Sequence, residues 1–182
     1  MKRSRIWLSL VLLALLLSGC GQSREAQRQQ DFAQALSRRN DLSFTASLRA
    51  EYPDRSLAYV LRYTEEDGGC SLRLLEPEEI AGLTVRLGAD GAQLRLDGVS
   101  LDAPPLDSRG LSPVNALPRL MSLLRTGHME SHWTEGGQTV WTLSDGEGLR
   151  LQVWLDEALI PTRAELISEG RLAVFCTISD WA

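Results

Sequence analysis

Strict alternation of apolar and polar side chains is the feature that most constrains the fold of this 182-residue chain. From Leu42 to Tyr52, every second residue is Leu, Phe, Ala or Tyr, and the residues between them are polar or charged. A period of two places alternate side chains on opposite faces of a β-strand, so this segment predicts a strand with one buried face. The same alternation returns in residues 57–64 and 149–155, which predicts further strands of the same kind.

Short turn sequences separate the predicted strands. Asp67-Gly68-Gly69, Asp90-Gly91 and Asp97-Gly98 have the composition of tight turns between antiparallel strands. We therefore expect a meander of about ten or eleven short strands, each with one apolar face. Twist prevents a sheet of this size from staying flat, so it should curl around its apolar face.

Two segments have a helical period instead. Phe32, Ala33 and Leu36 share one helical face, which predicts an amphipathic helix over about Glu25–Arg39. The alternative for the first half of this segment is a disordered stalk. A second apolar stripe has the spacing i, i+3, i+4, i+7 and follows Ser112-Pro113, a pair that favours a helix start. We expect Pro118 to reset the start of this second helix. The stripe consists of Leu117, Leu120, Met121 and Leu124.

These patterns together predict an α+β fold. The expected architecture is a strongly curved antiparallel sheet, or incomplete β-barrel, with a helical lid on its concave face. The four residues of the second stripe should line the inner face under this lid. If they fill that face, binding would use the outer surface or a sheet edge; if they leave a cavity, the protein would hold an apolar ligand.

The N-terminus has the layout of an export signal. Three basic residues lie within Met1–Arg5, and the apolar segment Ile6–Leu17 that follows is shorter than the ~20 residues of a membrane-spanning helix. Leu17-Ser18-Gly19-Cys20 resembles the lipobox of bacterial lipoproteins, which are cleaved before the cysteine and acylated on its thiol. We expect cleavage between Gly19 and Cys20, with palmitate-type acyl chains anchoring the protein on the outer face of the cell membrane.

The domain division follows from these segments. Residues 1–19 form the predicted signal peptide, residues 20–40 a lipidated tether with the first helix, and residues 41–182 the curved-sheet domain.

The whole chain has 19 basic and 24 acidic residues, and three of the basic ones belong to the signal peptide. An acidic chain of this kind has a poor charge balance for nucleic acid, so we expect no nucleic-acid partner.

Several sequence features resemble LolA/LolB-like lipoprotein-localisation proteins. Leu75–Val85 resembles that family's Pro-Glu…Gly pattern. Gly88–Gly98 resembles its Asp-Gly…Asp-Gly pattern, although Asp97-Gly98 comes one residue early. Leu155–Leu166, followed by Glu169-Gly170, is similar to its closing strand–turn–strand. The resemblance implies a half-barrel with a helical lid and an apolar concave face.

Within that family, the chain resembles the germination lipoproteins of spore-forming bacteria, which combine a lipobox with one LolA-like domain. That resemblance implies a non-catalytic, membrane-tethered partner or regulator of an envelope protein, for instance a cortex-modifying cell-wall amidase. The alternative is an acceptor or carrier of an acylated ligand in the concave face. A lipidated Cys20 argues against a freely diffusing carrier.

No pattern in the sequence indicates an enzyme. The chain has no Gly-x-Ser-x-Gly nucleophile turn and no phosphate-binding glycine loop. His128 and His132 lie four residues apart on a predicted strand, so their side chains are too far apart for one metal ion. We therefore expect neither a metal nor a cofactor.

Three remaining side chains are candidates for a site. Cys70 and Cys176 are both in phase with inward-facing residues, and the sequence leaves two alternatives open: a disulfide between them, or two separate buried thiols. Trp154 is out of phase with its apolar neighbours, so we expect it either to face outward or to cover an edge of the sheet. An exposed tryptophan beside a strand is a candidate contact for a partner.

Overall fold

The computed structural model describes residues 24–103 and 111–182. The predicted signal peptide and the lipidation site at Cys20 lie outside these residues. Within them, the structure is a single curved antiparallel sheet with two α-helices packed against one face. The predicted α+β class and the open, incomplete barrel are confirmed.

Eleven strands form the sheet in the described part of the chain. They are β1 Ser43–Glu51, β2 Ser56–Glu66, β3 Gly69–Glu76, β4 Thr84–Gly88, β5 Gly91–Leu96, β6 Val99–Ala103, β7 His128–Glu135, β8 Gln138–Ser144, β9 Leu149–Leu155, β10 Pro161–Ser168 and β11 Arg171–Ser179. Their order in the sheet is β6-β5-β4-β3-β2-β1-β11-β10-β9-β8-β7. Two meanders of sequential strands, β1–β6 and β7–β11, are joined where β1 pairs with β11. Strands β6 and β7 are therefore the two free edges of the sheet.

The first helix, α1, spans Arg24–Ser37 and closely matches the predicted helix. Its buried residues include Ala33 and Leu36, two of the three residues that predicted its apolar face. Phe32 is half-buried, and its ring meets the edge of the Trp141 ring at 5.6 Å. The pair fixes α1 to strand β8 on the inner face of the sheet.

The second helix, α2, spans Pro113–Thr126 without interruption. The prediction that Pro118 resets its start is wrong. Ser112 and Asn115 form a reciprocal capping box, which satisfies donors at the helix start and fixes its first turn before Pro118 is reached. The proline then costs one hydrogen bond within the helix, which capping and burial of the apolar stripe offset.

The inner face of the sheet and the two helices share one core. All four stripe residues of α2 are buried, and Leu120 is 0% exposed. Helix α2 contacts α1 and strands β8, β9 and β10, so it covers that half of the sheet. Arg125 ties the other side of α2 to β2 and to α1. It forms an ion pair with Glu65 of β2, to which it donates at 2.8 Å, and it donates to the Leu36 carbonyl of α1 at 3.3 Å.

Candidate functional site

An apolar pocket lies on the inner face beside the N-terminus of α2. Its volume is about 250 Å³, and every side chain that lines it is apolar or aromatic. Strands β2, β3 and β4 form its floor, while the first residues of α2 and the short 3₁₀ helix Glu78–Ile80 form its walls. The lining residues are Tyr59, Leu61, Leu72, Leu74, Ile80, Leu83, Val85, Pro113 and Val114.

The apolar surface continues from this pocket to the free edge of the sheet. Strand register places one row of inward-facing residues across six strands, from β1 to β6, and burial decreases along it. The members nearest α2 are buried, but Leu101 on β6 is 64% exposed and Val99 beside it is 70% exposed. The row consists of Phe44, Tyr63, Leu72, Val85, Leu94 and Leu101.

The two edges of the sheet differ in character. The exposed residues of strand β7 are polar apart from Trp133, and the strand has a register shift between Met129 and Ser131 and an ion pair of 3.1 Å between Glu130 and Arg150. Charges and bulges of this kind block the addition of another strand. Strand β6 has no register shift in its pairing with β5, and its exposed apolar side chains face the same side as the pocket. The β6 edge and the pocket therefore form one continuous apolar surface.

No protein-family model matches the chain, and no curated protein matches it in sequence. Its structure is similar to that of a LolA superfamily protein from Nitrosomonas europaea, with a TM-score of 0.51 and 13% identity over 86% of this chain and 92% of that one. The fold is LolA-like. It is also similar to an uncharacterised conserved protein from Thermus thermophilus, with a TM-score of 0.50 and 12% identity over 87% and 86% of the two chains.

A weaker likeness connects this LolA-like domain to the structure of the CwlD amidase from Clostridioides difficile in complex with the GerS lipoprotein. The TM-score is 0.48 and the identity 16%, over 90% of this chain and 98% of that one. Similarity at this level does not identify a partner. The comparisons therefore establish the LolA-like fold alone.

In this LolA-like domain, Trp154 is not an exposed contact, and that prediction is wrong. Trp154 is only 5% exposed, although β9 does turn it away from its inward-facing neighbours. The Arg163 guanidinium lies 4.0 Å from the centre of its ring, and its Nε1 donates to Glu135 at 3.2 Å. Alternation predicts the direction of a side chain, but it does not predict that residues of neighbouring strands will cover it.

Cys70 and Cys176 are both free and buried, so the disulfide alternative is wrong. Cys70 lies on β3 and Cys176 on β11, with β2 and β1 between them. Three inter-strand spacings of ~4.8 Å separate them by about 14 Å, which exceeds the ~7 Å that a disulfide allows. Burial raises the pKa of Cys70 to about 11 and that of Cys176 to about 12. Both thiols therefore stay protonated and inert near neutral pH.

Sequence reasoning did not foresee how α1 is fixed near its first residue. Glu25 accepts hydrogen bonds from Arg28 at 2.7 Å and from Trp141 Nε1 at 3.3 Å. Burial alone raises the pKa of Glu25, but these hydrogen bonds outweigh it and lower the pKa below its usual 4.5. The start of α1 is therefore held against β8.

The described residues contain neither a candidate membrane-spanning helix nor a candidate metal cluster. In residues 24–103 and 111–182, neither helix is long and apolar enough to span a membrane. The same residues contain no cluster of three or more His, Cys, Asp or Glu side chains suited to a metal ion. His128 and His132 are both exposed on β7.

Proposed function

We propose that this protein is a membrane-tethered, non-catalytic bacterial lipoprotein that acts by binding another envelope protein. Acyl chains on Cys20 would anchor it on the extracytoplasmic face of the cell membrane. The lipobox-like Leu17–Cys20, directly after a basic and an apolar segment, supports this anchor. The proposed division of the chain is a signal peptide of residues 1–19, a tether with α1 over residues 20–40, and the LolA-like domain of residues 41–182.

The observation that carries the partner-binding function is the apolar β6 edge. Val99 and Leu101 are the two most exposed large apolar side chains of the described residues. They lie on a free strand edge, whose unpaired backbone groups can accept a strand from a partner, while the apolar side chains give that contact its specificity. This edge takes the place of Trp154 as the proposed contact surface.

The proposed partner is a cell-wall amidase that acts on the spore cortex in germination. Support for this partner comes from the sequence resemblance to germination lipoproteins, which combine a lipobox with one LolA-like domain. The burial of the α2 stripe supports a role through a surface, because the helix already fills the inner face under β8, β9 and β10.

The pocket favours a second candidate function, the binding of an acyl chain. Its lining is almost entirely apolar, which suits a hydrophobic ligand. Its volume of about 250 Å³ falls just below the ~300–1,000 Å³ of most small-molecule sites. It suits part of one acyl chain better than a whole lipopeptide, so this function ranks second.

A binding assay with one matched pair of variants tests the proposed function. The amidase from the same host is immobilised, and binding of the unlipidated protein is measured by biolayer interferometry. Leu101→Lys places a charge on the apolar side of β6 and should lower the affinity at least several-fold. Ser100→Lys places the same charge on the same strand but on its opposite side, and should have little effect.

The outcomes separate the two candidate functions. Equal binding by wild type and Leu101→Lys would show that β6 is not the contact. No binding of the amidase by wild type, together with an acyl lipid that stays bound through purification, would favour the second candidate. Circular dichroism of both variants verifies that each one is folded.

A further inference from the structure

We propose that strand β7, His128–Glu135, lies on the headgroups of the lipid bilayer. This inference rests on the proposed lipidation of Cys20. Three residues, Gly21, Gln22 and Ser23, separate that cysteine from Arg24, the first residue of α1. A fully extended chain spans at most about 3.6 Å per residue, so the start of α1 stays within about 14 Å of the lipidated cysteine.

The start of α1 is fixed close to β7. Glu25 is 3.3 Å from the Trp141 indole nitrogen on β8, and Trp141 pairs directly with His132 on β7. Neighbouring strands lie ~4.8 Å apart, so the middle of β7 is about one strand spacing from the residue that holds α1. Helix α1 also contacts β7 directly. A tether this short therefore brings β7, an edge strand, to the membrane surface.

The side chains around this position suit a lipid headgroup layer. Trp133 lies on the face of β7 opposite to His132, is 38% exposed, and its Nε1 donates to Glu135 at 3.3 Å. An indole with an apolar ring and a polar N–H favours the interface between water and hydrocarbon. Arg24 is exposed at the start of α1, where its guanidinium can meet lipid phosphates, whereas the exposed Arg28 is already paired with Glu25 at 2.7 Å. The carboxylate of Glu130 is already paired with Arg150, which reduces its repulsion from an anionic bilayer.

The opposite free edge, β6, is separated from β7 by nine strands of the sheet. A bilayer contact at β7 does not use the backbone groups of the β6 edge. The lipid anchor would then orient the domain as well as hold it at the membrane.

The test uses the lipidated protein in vesicles of phosphatidylglycerol and phosphatidylcholine. A fluorophore is attached to Ser131→Cys on β7 or to Ser100→Cys on β6, both of which are exposed positions. Vesicles with nitroxide-labelled headgroups should quench the label at position 131 several-fold more strongly than the label at position 100. Protein without an engineered cysteine controls for labelling of the two buried thiols.

A longer tether provides the second measurement. Ten Gly and Ser residues inserted between Ser23 and Arg24 should remove most of the difference between the two labels, because the anchor then no longer confines α1. Equal quenching at both positions in protein that carries its lipid and floats with the vesicles would overturn the orientation while leaving the anchor intact. Failure of the protein to float, with no lipid mass on Cys20, would refute the anchor and the orientation together.

Discussion

Replacing Leu120 with alanine tests whether α2 is part of the core. Its side chain is 0% exposed between the helix and the inner face of the sheet. Leu120→Ala removes three carbon groups at ~0.8 kcal/mol each, or about 2.4 kcal/mol of transfer free energy. The cavity left behind brings the expected loss of unfolding free energy to about 3 kcal/mol. With an m-value of about 2 kcal/mol/M, the urea midpoint should fall by about 1.5 M.

Urea unfolding of the protein without its first 20 residues, followed by circular dichroism, measures this loss. Ser122→Ala is the matched control, because Ser122 lies on the same helix but is exposed. It should change the unfolding free energy by less than about 0.5 kcal/mol. A loss for Leu120→Ala as small as that of the control would refute the packing of α2 on the sheet.

Three more predictions concern the anchor, an ion pair and the thiols. Cys20→Ala should move the protein from the membrane to the soluble or uncleaved fraction, and unchanged detergent partitioning would contradict lipidation. Glu65→Gln leaves the α2 arginine without its partly buried partner and should cost about 1–3 kcal/mol by urea unfolding, against less than about 1 kcal/mol for Glu66→Gln in an exposed pair. Because their pKa values are raised, Cys70 and Cys176 should react with iodoacetamide at pH 8 only after unfolding, as followed by mass spectrometry.

The strands could be predicted because their pattern is local. Strands such as β1, β2 and β9 have their own period-two alternation, and most of the turns contain Gly or Asp, so neither signal depends on distant contacts. The apolar stripe of α2 is equally local. Pro118 is an exception to the rule that proline marks the start of a helix. The capping box begins α2 before Pro118, so this proline lies inside the helix.

Properties that depend on distant strands could not be predicted. Trp154 points outward as its phase requires, but Arg163 of the next strand covers it. The two inward-facing cysteines lie on β3 and β11. The pairing of β1 with β11 sets their separation at three strand spacings, and that pairing is not visible in the local sequence. The exposed β6 edge was missed for the same reason, because exposure depends on which strands the helices cover.

Native mass spectrometry of the protein, released from its host membrane by mild detergent, tests the central claim most directly. We predict a chain that begins at Cys20, has a covalently attached diacylglycerol and retains a bound protein, which is lost in Leu101→Lys but kept in Ser100→Lys. An unmodified thiol at Cys20 would contradict the anchor. A non-covalently bound acyl lipid with no protein partner would contradict the partner-binding function.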